Sequence, residues 1–143
     1  MKHHIYTQVN IEADSTIVWD ILTTIEAYPN WNPFITSLEG KLEVGAQLKA
    51  DIGAFKFKPS VKVVEVGRKL SWLGRFLLPG LFDGQHTFEC IPQQDGSTLF
   101  IQKEDFKGIL VPFLKKKLDH ETKDGFEAMN LKLKALAENR ASK

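Results

Sequence analysis

The residues best placed to do chemistry are His86, Gln102 and Glu104: an imidazole, an amide and a carboxyl set among aromatic side chains. The run from Phe82 to Cys90 alternates in polarity, with Phe82, His86, Phe88 and Cys90 on one face. The run from Thr98 to Phe106 does the same, with Phe100, Gln102, Glu104 and Phe106 together. Between them, Gln94-Asp95-Gly96 suits a three-residue hairpin loop, a type I turn followed by glycine in the left-handed region. Such a loop pairs Gln93 with Ser97, and counting back sets His86 opposite Glu104 and Phe88 opposite Gln102. Directly opposed residues have Cβ atoms about 4.5–5.5 Å apart, close enough for side chains to touch. A face of this composition is costly to bury dry. It is expected to form the wall of a cavity.

Two readings of the His86–Glu104 pair stay open. In one, the carboxylate orients the imidazole and the pair anchors a ligand or transfers a proton. In the other, it is a satisfied buried pair that only helps to set strand register. A zinc site is not expected, because no third histidine or cysteine has suitable spacing, and no cofactor is expected. His120 falls on the outward side of the last helix, and His3 and His4 are expected in solvent. Cys90, the one cysteine, excludes an internal disulfide and reads as a small buried hydrophobe.

Other functional classes find little support. There is no glycine-rich phosphate loop, serine-nucleophile motif or nucleotide fingerprint. A net charge of +1 gives no global drive toward nucleic acid or an anionic membrane, and the aromatics lack the basic interleaving of a nucleic-acid groove. Lys115-Lys116-Lys117 reads as a solvated helix flank. The most apolar stretches are short and broken by proline, so no stable membrane insertion is expected. No signal peptide pattern precedes the first strand, and a cytoplasmic location is expected.

The elements that position these residues follow from periodicity. Ile5 to Ile11 alternates as a strand. Asp14 or Ser15 caps a helix with an apolar stripe of Ile17, Val18, Ile21, Leu22 and Ile25, expected to stop near Tyr28-Pro29. A second short helical turn is expected over 31–35. Six strands follow, near 37–43, 46–52, 55–66, 69–77, 81–92 and 97–107, punctuated by glycine and proline. From 109 to 139 the period changes to that of a helix, with Leu110, Leu114, Leu118, Gly125, Met129, Leu133 and Leu136 near one face. Gly125 in that stripe costs about 1 kcal/mol against alanine in an exposed helix, so either the sheet approaches closely there or the face needs open space. This order describes one α+β domain over residues 1–143: a curved antiparallel seven-stranded sheet wraps a long C-terminal helix, with two short helices after the first strand.

On the face opposing the helix, Trp72, Phe76, Phe88, Phe100 and Phe106 accompany the polar residues, and Thr122, Gly125, Phe126 and Met129 are expected to form the facing wall. Trp31 and Phe34 either plug the fold beside the short helices or gate the cavity mouth. The loop Leu77-Leu78-Pro79-Gly80-Leu81-Phe82 is a second rim candidate.

Several stretches carry a resemblance. Val18-Trp19-Asp20-Ile21-Leu22, Tyr28-Pro29-Asn30-Trp31-Asn32-Pro33-Phe34, Leu70-Ser71-Trp72-Leu73-Gly74, Gly84-Gln85-His86-Thr87-Phe88 and Gly96-Ser97-Thr98 resemble segments of SRPBCC domains, the START-like, helix-grip superfamily. Glu104 to Leu110 and Gly125 to Asn130 continue it, so that it spans nearly the whole chain in order. The resemblance implies a helix-grip fold with a deep cavity between sheet and C-terminal helix. It implies no single chemistry, since the superfamily holds lipid carriers, receptors and aromatase/cyclases. Some relatives carry histidine in place of Gln102, and that departure removes a possible acid–base group here. The leading expectation is binding of a hydrophobic or amphipathic small molecule. The alternative is a cyclase or dehydratase-like enzyme using His86 and Glu104 as its acid–base pair.

Overall fold

The computed structural model describes residues 2–76 and 78–143, with Phe76 described in its backbone alone. Strand β1 (Lys2–Ile11) leads to helix α1 (Ser15–Thr23), whose N-terminus is capped by Asp14 accepting from the Thr16 amide at 2.8 Å. Val18, Ile21 and Leu22 form its buried stripe. The helix ends earlier than its apolar pattern suggests. Thr23 and Thr24 turn their hydroxyls back onto the Trp19 and Asp20 carbonyls, at 2.7 and 2.6 Å, in competition with a continuing backbone ladder.

A single 3₁₀ turn, Ile25–Ala27, then passes into α2 (Tyr28–Trp31). The second short helix therefore lies before 31–35 rather than over it, and Pro29 opens it instead of stopping the first. Proline suits a first helical turn, where its missing N–H has no intrahelical partner anyway. Asn32 ends α2: its Oδ1 accepts from the amides of Phe34 and Ile35 at 2.9 and 2.8 Å. That side-chain turn swings the chain into β2 (Ile35–Glu39) and fixes where Phe34 projects.

Among the described residues, eight strands form two antiparallel sheets, one more strand than the sequence pattern suggests. β2, β3 (Lys49–Ile52) and β4 (Phe55–Phe57) make the smaller sheet, in the order β2-β3-β4. β5 (Ser60–Glu65), β6 (Lys69–Phe76), β7 (Phe82–Pro92) and β8 (Thr98–Lys107) join β1 in the order β1-β8-β7-β6-β5. The expected strand over 55–66 is divided at Lys58-Pro59, since proline cannot donate to a ladder. A bridge between Gln47 and Ser60 links the sheets. The α+β, helix-grip architecture is otherwise the one expected.

The last helix runs from Val111 to Ala141 in three parts: α3 (Val111–Lys117), a π-helical turn (Leu118–Thr122) and α4 (Lys123–Ala141). Apolar residues at 110, 114, 118 and 126 recur at multiples of four, with Thr122 between the last two, and each interval of four drifts about 40° on a regular α-helix. The wider π turn sets the stripe back toward the sheet. Beyond it Phe126, Met129, Leu133 and Ala137 are buried, whereas Leu136, expected in the stripe, is 37% exposed. α4 packs on β1, β8 and α1. Among the described residues, no helix is long and apolar enough to cross a membrane.

Candidate functional site

The site is built by the register of three neighbouring strands. The β7–β8 loop forms as its residues dictate: the Gln93 amide donates to Ser97 O at 2.8 Å and Gly96 adopts φ +87°. His86 accordingly stands opposite Glu104 on β8 and opposite Trp72 on β6. One pair further along, Phe88 faces Gln102 and Leu70. One pair back, Gly84 faces Phe106 and Gly74. Gly84 is required by the site itself, because a Cβ there would lie 2.3 Å from Glu104 Oε2. The carboxyl of Glu104 rests on bare backbone.

His86 is almost wholly buried, at 2% exposure, and stacks between Phe88 and Phe126, with ring centroids 4.5 and 4.7 Å away. Trp72 lies 5.5 Å to its side. Its Nε2 is 2.9 Å from Gln102 Oε1, so the amide, not the carboxyl, is the direct partner that holds the ring. Glu104 Oε1 stands 3.6 Å from Nδ1, beyond a good hydrogen bond. Behind Gln102 the polar chain continues. Gln102 Nε2 donates to Asn130 Oδ1 at 2.7 Å and to Phe126 O at 3.4 Å. Asn130 Nδ2 donates to Thr7 Oγ1 at 2.9 Å, and Thr7 donates to the backbone carbonyl of Gln102 at 2.7 Å. Every member is buried and partnered, which makes such a network tolerable in an apolar interior.

Burial moves both titrating groups toward neutrality. Loss of solvation lowers the His86 pKa to about 4, against a smaller upward pull from the Gln102 hydrogen bond. Loss of solvation, assisted by the charge of Asp105, raises Glu104 to about 8. A neutral carboxylic acid thus faces a neutral imidazole near pH 7. Burial also pushes the Cys90 thiol up to about 12, consistent with an inert core cysteine.

The pair opens on a cavity of about 280 Å³. Trp72, Gly74, Phe82, Gly84, His86, Glu104 and Phe106 of the large sheet form one wall. Ile35, Ala50, Ile52, Phe55 and Phe57 of the small sheet form a second, and Leu114, Lys117, Leu118 and Thr122 close it from the helix. Phe34 and Pro59 complete the lining. A separate surface groove of about 550 Å³ lies between β1 and α4, lined by Tyr6, Thr7, Gln8, Val9, Lys123, Glu127, Asn130 and Leu131.

Of the residues singled out from sequence, Trp72, His86, Glu104, Phe106 and Thr122 line the cavity. Gln102, Phe88 and Phe126 lie behind His86 and hold it. Phe100 and Met129 sit in the packed core and Gly125 lies against Phe34, none of them on the cavity wall. The side chain of Phe76 lies outside the described residues, as does Leu77 of the rim loop; Phe82 of that loop stacks on Phe106 at 5.4 Å. The cavity faces α3 and the π turn rather than Gly125 to Met129, because the Phe34 ring fills the space over Gly125. His3, expected in solvent, is largely buried and bonded to Asp119 at 2.7 Å.

Thr7 and Asn130 were not singled out by sequence reasoning. Each is a polar residue at an inward position of an otherwise apolar pattern, Thr7 between Ile5 and Val9, and Asn130 beside Met129 and Leu133. That interruption is the signal by which they are readable.

A long helix gripped by a curved antiparallel sheet defines the helix-grip class. Residues 2–138 match the family described as Polyketide cyclase / dehydrase and lipid transport, and the chain belongs to that family, within the START-like SRPBCC superfamily. Among solved structures it is similar to a hypothetical protein from Helicobacter pylori, with TM-score 0.82 and 14% identity over 94% of this chain and 88% of that one. It is also similar to the Zhui aromatase/cyclase from Streptomyces sp. R1128, with TM-score 0.76 and 14% identity over 98% and 96%. A START superfamily protein from Mycobacterium smegmatis gives TM-score 0.70 and 22% identity over 94% and 99%. No curated protein sequence matches the chain.

Proposed function

We propose that the cavity binds a hydrophobic or amphipathic small molecule, with its apolar body against Phe57, Trp72, Phe82 and Phe106 and its polar end at Glu104 and His86. The observation that carries this reading is one buried ionisable pair on the wall of a mostly apolar cavity of about 280 Å³, whose other polar lining is Lys117 and Thr122. Ligand sites pair apolar walls with a few placed polar groups, and this volume lies near their lower limit of about 300 Å³. Burying about 300 Å² of apolar ligand surface is worth roughly 7–8 kcal/mol of transfer free energy, part of it offset by the cost of association. Family membership, whose description includes lipid transport, supports the same reading. Replacing Glu104 with alanine is expected to weaken ligands with a polar head more than purely apolar ones. Equal losses in both classes, measured by calorimetry, would argue against an anchoring role.

A second reading is an enzyme of the cyclase or dehydratase type. It is favoured by an acid raised to about 8 standing 3.6 Å from a neutral imidazole, an arrangement able to give and take protons near neutral pH. A cavity closed over its ligand would exclude water and protect a reactive intermediate. Turnover of a polyketone abolished by His86→Ala, with the fold intact, would support catalysis. Ligand retention without turnover in the wild type would support binding alone.

A further inference from the structure

We infer that the polar end of the cavity is built to hold a neutral hydroxyl group, an alcohol or phenol, in preference to an anion. This rests on the cavity being a ligand site, and it is carried by a chain of hydrogen bonds whose direction can be read from one end. The backbone carbonyl of Gln102 can only accept, so the single hydrogen of the Thr7 hydroxyl points to it, at 2.7 Å. Thr7 Oγ1 must then accept from Asn130 Nδ2, at 2.9 Å. Asn130 therefore turns its oxygen toward Gln102 and accepts from Gln102 Nε2 at 2.7 Å. The carbonyl of Phe126, 3.4 Å from the same nitrogen, is a longer contact that favours the same amide orientation only weakly. Gln102 Oε1 is left facing His86 Nε2 at 2.9 Å and takes its hydrogen. A neutral imidazole has only one such hydrogen. The network thus assigns it to Nε2 and leaves Nδ1 with a lone pair on the Glu104 side.

Nδ1 and Glu104 Oε1 are 3.6 Å apart, so an oxygen about 2.8 Å from both completes a triangle with them. The position offers one acceptor, Nδ1, and one donor, the protonated carboxyl of Glu104. The remaining charged residue on the cavity wall, Lys117, lies over the Phe55 ring at 5.5 Å and 3.7 Å from Glu121. A hydroxyl both donates and accepts, and so satisfies both groups. A carbonyl satisfies Glu104 and leaves Nδ1 unpaired. A carboxylate meets a lone pair and an acid held neutral by desolvation, while Lys117, the cation on the same wall, is engaged by Phe55 and Glu121. Thr7 and Asn130, which do not line the cavity, act as positioning residues for this selectivity.

The test uses the full chain at pH 6.5 with three probes of one shape: 2-naphthol, 2-methylnaphthalene and 2-naphthoate. In the free protein, ¹⁵N NMR of the His86 ring should show hydrogen on Nε2 alone. Either an Nδ1–H tautomer or an imidazolium at this pH would overturn the inference. By calorimetry, naphthol should bind at least tenfold tighter than methylnaphthalene, and naphthoate weakest. Naphthoate binding as well as naphthol, or naphthol no better than methylnaphthalene, would overturn it. Thr7→Val, or Asn130→Leu if the first variant does not fold, should populate both tautomers and reduce the naphthol advantage at least threefold. Methylnaphthalene affinity should stay unchanged, whereas a purely structural role would lower all three affinities together. Failure of every probe to bind, with the tautomer as stated, would count against the cavity as a ligand site. Binding without preference would count against the hydroxyl assignment alone.

Discussion

Phe34 occupies the space that a side chain at position 125 would need: a Cβ built on Gly125 would lie 2.3 Å from Phe34 Cδ1. The two residues are far apart in the sequence, yet their contact decides where the cavity ends. The Phe34 ring, held by the Asn32 turn, packs edge-on against Phe126 at 5.2 Å and walls the cavity off from α4.

Gly125→Ala should therefore destabilise the protein despite alanine's better helix propensity. Propensity favours the substitution by about 1 kcal/mol, and overpacking a tight contact costs typically about 1–3 kcal/mol. Thermal or denaturant unfolding should show a net loss. Adding Phe34→Leu should recover stability beyond additivity, and strictly additive effects would contradict the contact.

Gly84→Ala should displace the Glu104 carboxyl, because the new methyl group would sit 2.3 Å from Oε2. Binding of a polar-headed ligand should fall at least tenfold, with binding of a purely apolar ligand of the same shape much less affected. Titration calorimetry on the pair of ligands reads the difference.

The raised pKa of Glu104 fixes a direction for stability against pH. In the folded state it holds its proton up to about 8, while in the unfolded chain it ionises near 4.5. Between those values the native state binds more protons, so stability falls as pH rises and levels off above about 8. His86 has the opposite effect between its folded value of about 4 and its unfolded 6.5, where stability rises with pH. Above pH 6.5 the Glu104 contribution dominates, and from there to pH 8 the net loss should be about 1 kcal/mol. Glu104→Gln should abolish that slope in urea titrations. A slope unchanged by the substitution would place its origin elsewhere.

Cys90, buried and with its thiol raised to about 12, should resist alkylation in the native protein. Mass spectrometry after iodoacetamide at pH 8 should show no adduct until denaturant is added. Rapid native labelling would contradict the packing of this face.

The hairpin carrying the site was legible because its information is local: an Asp-Gly turn and two alternating runs set a register that places His86 against Glu104. The same strand logic was blind to what lies behind the histidine. Thr7, Gln102 and Asn130 come from β1, β8 and α4, and only the packing of helix on sheet brings them within hydrogen-bond distance. The cavity's facing wall was misplaced for a similar reason. Helical periodicity puts Gly125 and Met129 on the sheet-facing side, but it carries nothing of the Phe34 ring that arrives from a distant loop. Local chemistry also outweighed pattern at the short helices, where two threonine hydroxyls and the Asn32 side chain decide the boundaries.

Filling the cavity tests its role most directly. A Cβ at Gly74, on the cavity floor, would make only ordinary contacts, 3.9 Å to Gly84 O and 4.0 Å to Pro59 Cβ, so Gly74→Leu projects a side chain into the void without forcing the backbone. With Trp19 and Trp31 replaced by phenylalanine, the remaining Trp72 on the cavity wall reports occupancy by fluorescence. Saturable quenching by 2-naphthol in the Gly74 protein, lost in Gly74→Leu at unchanged thermal stability, is the predicted result. Equal quenching in both would contradict a ligand site between sheet and helix.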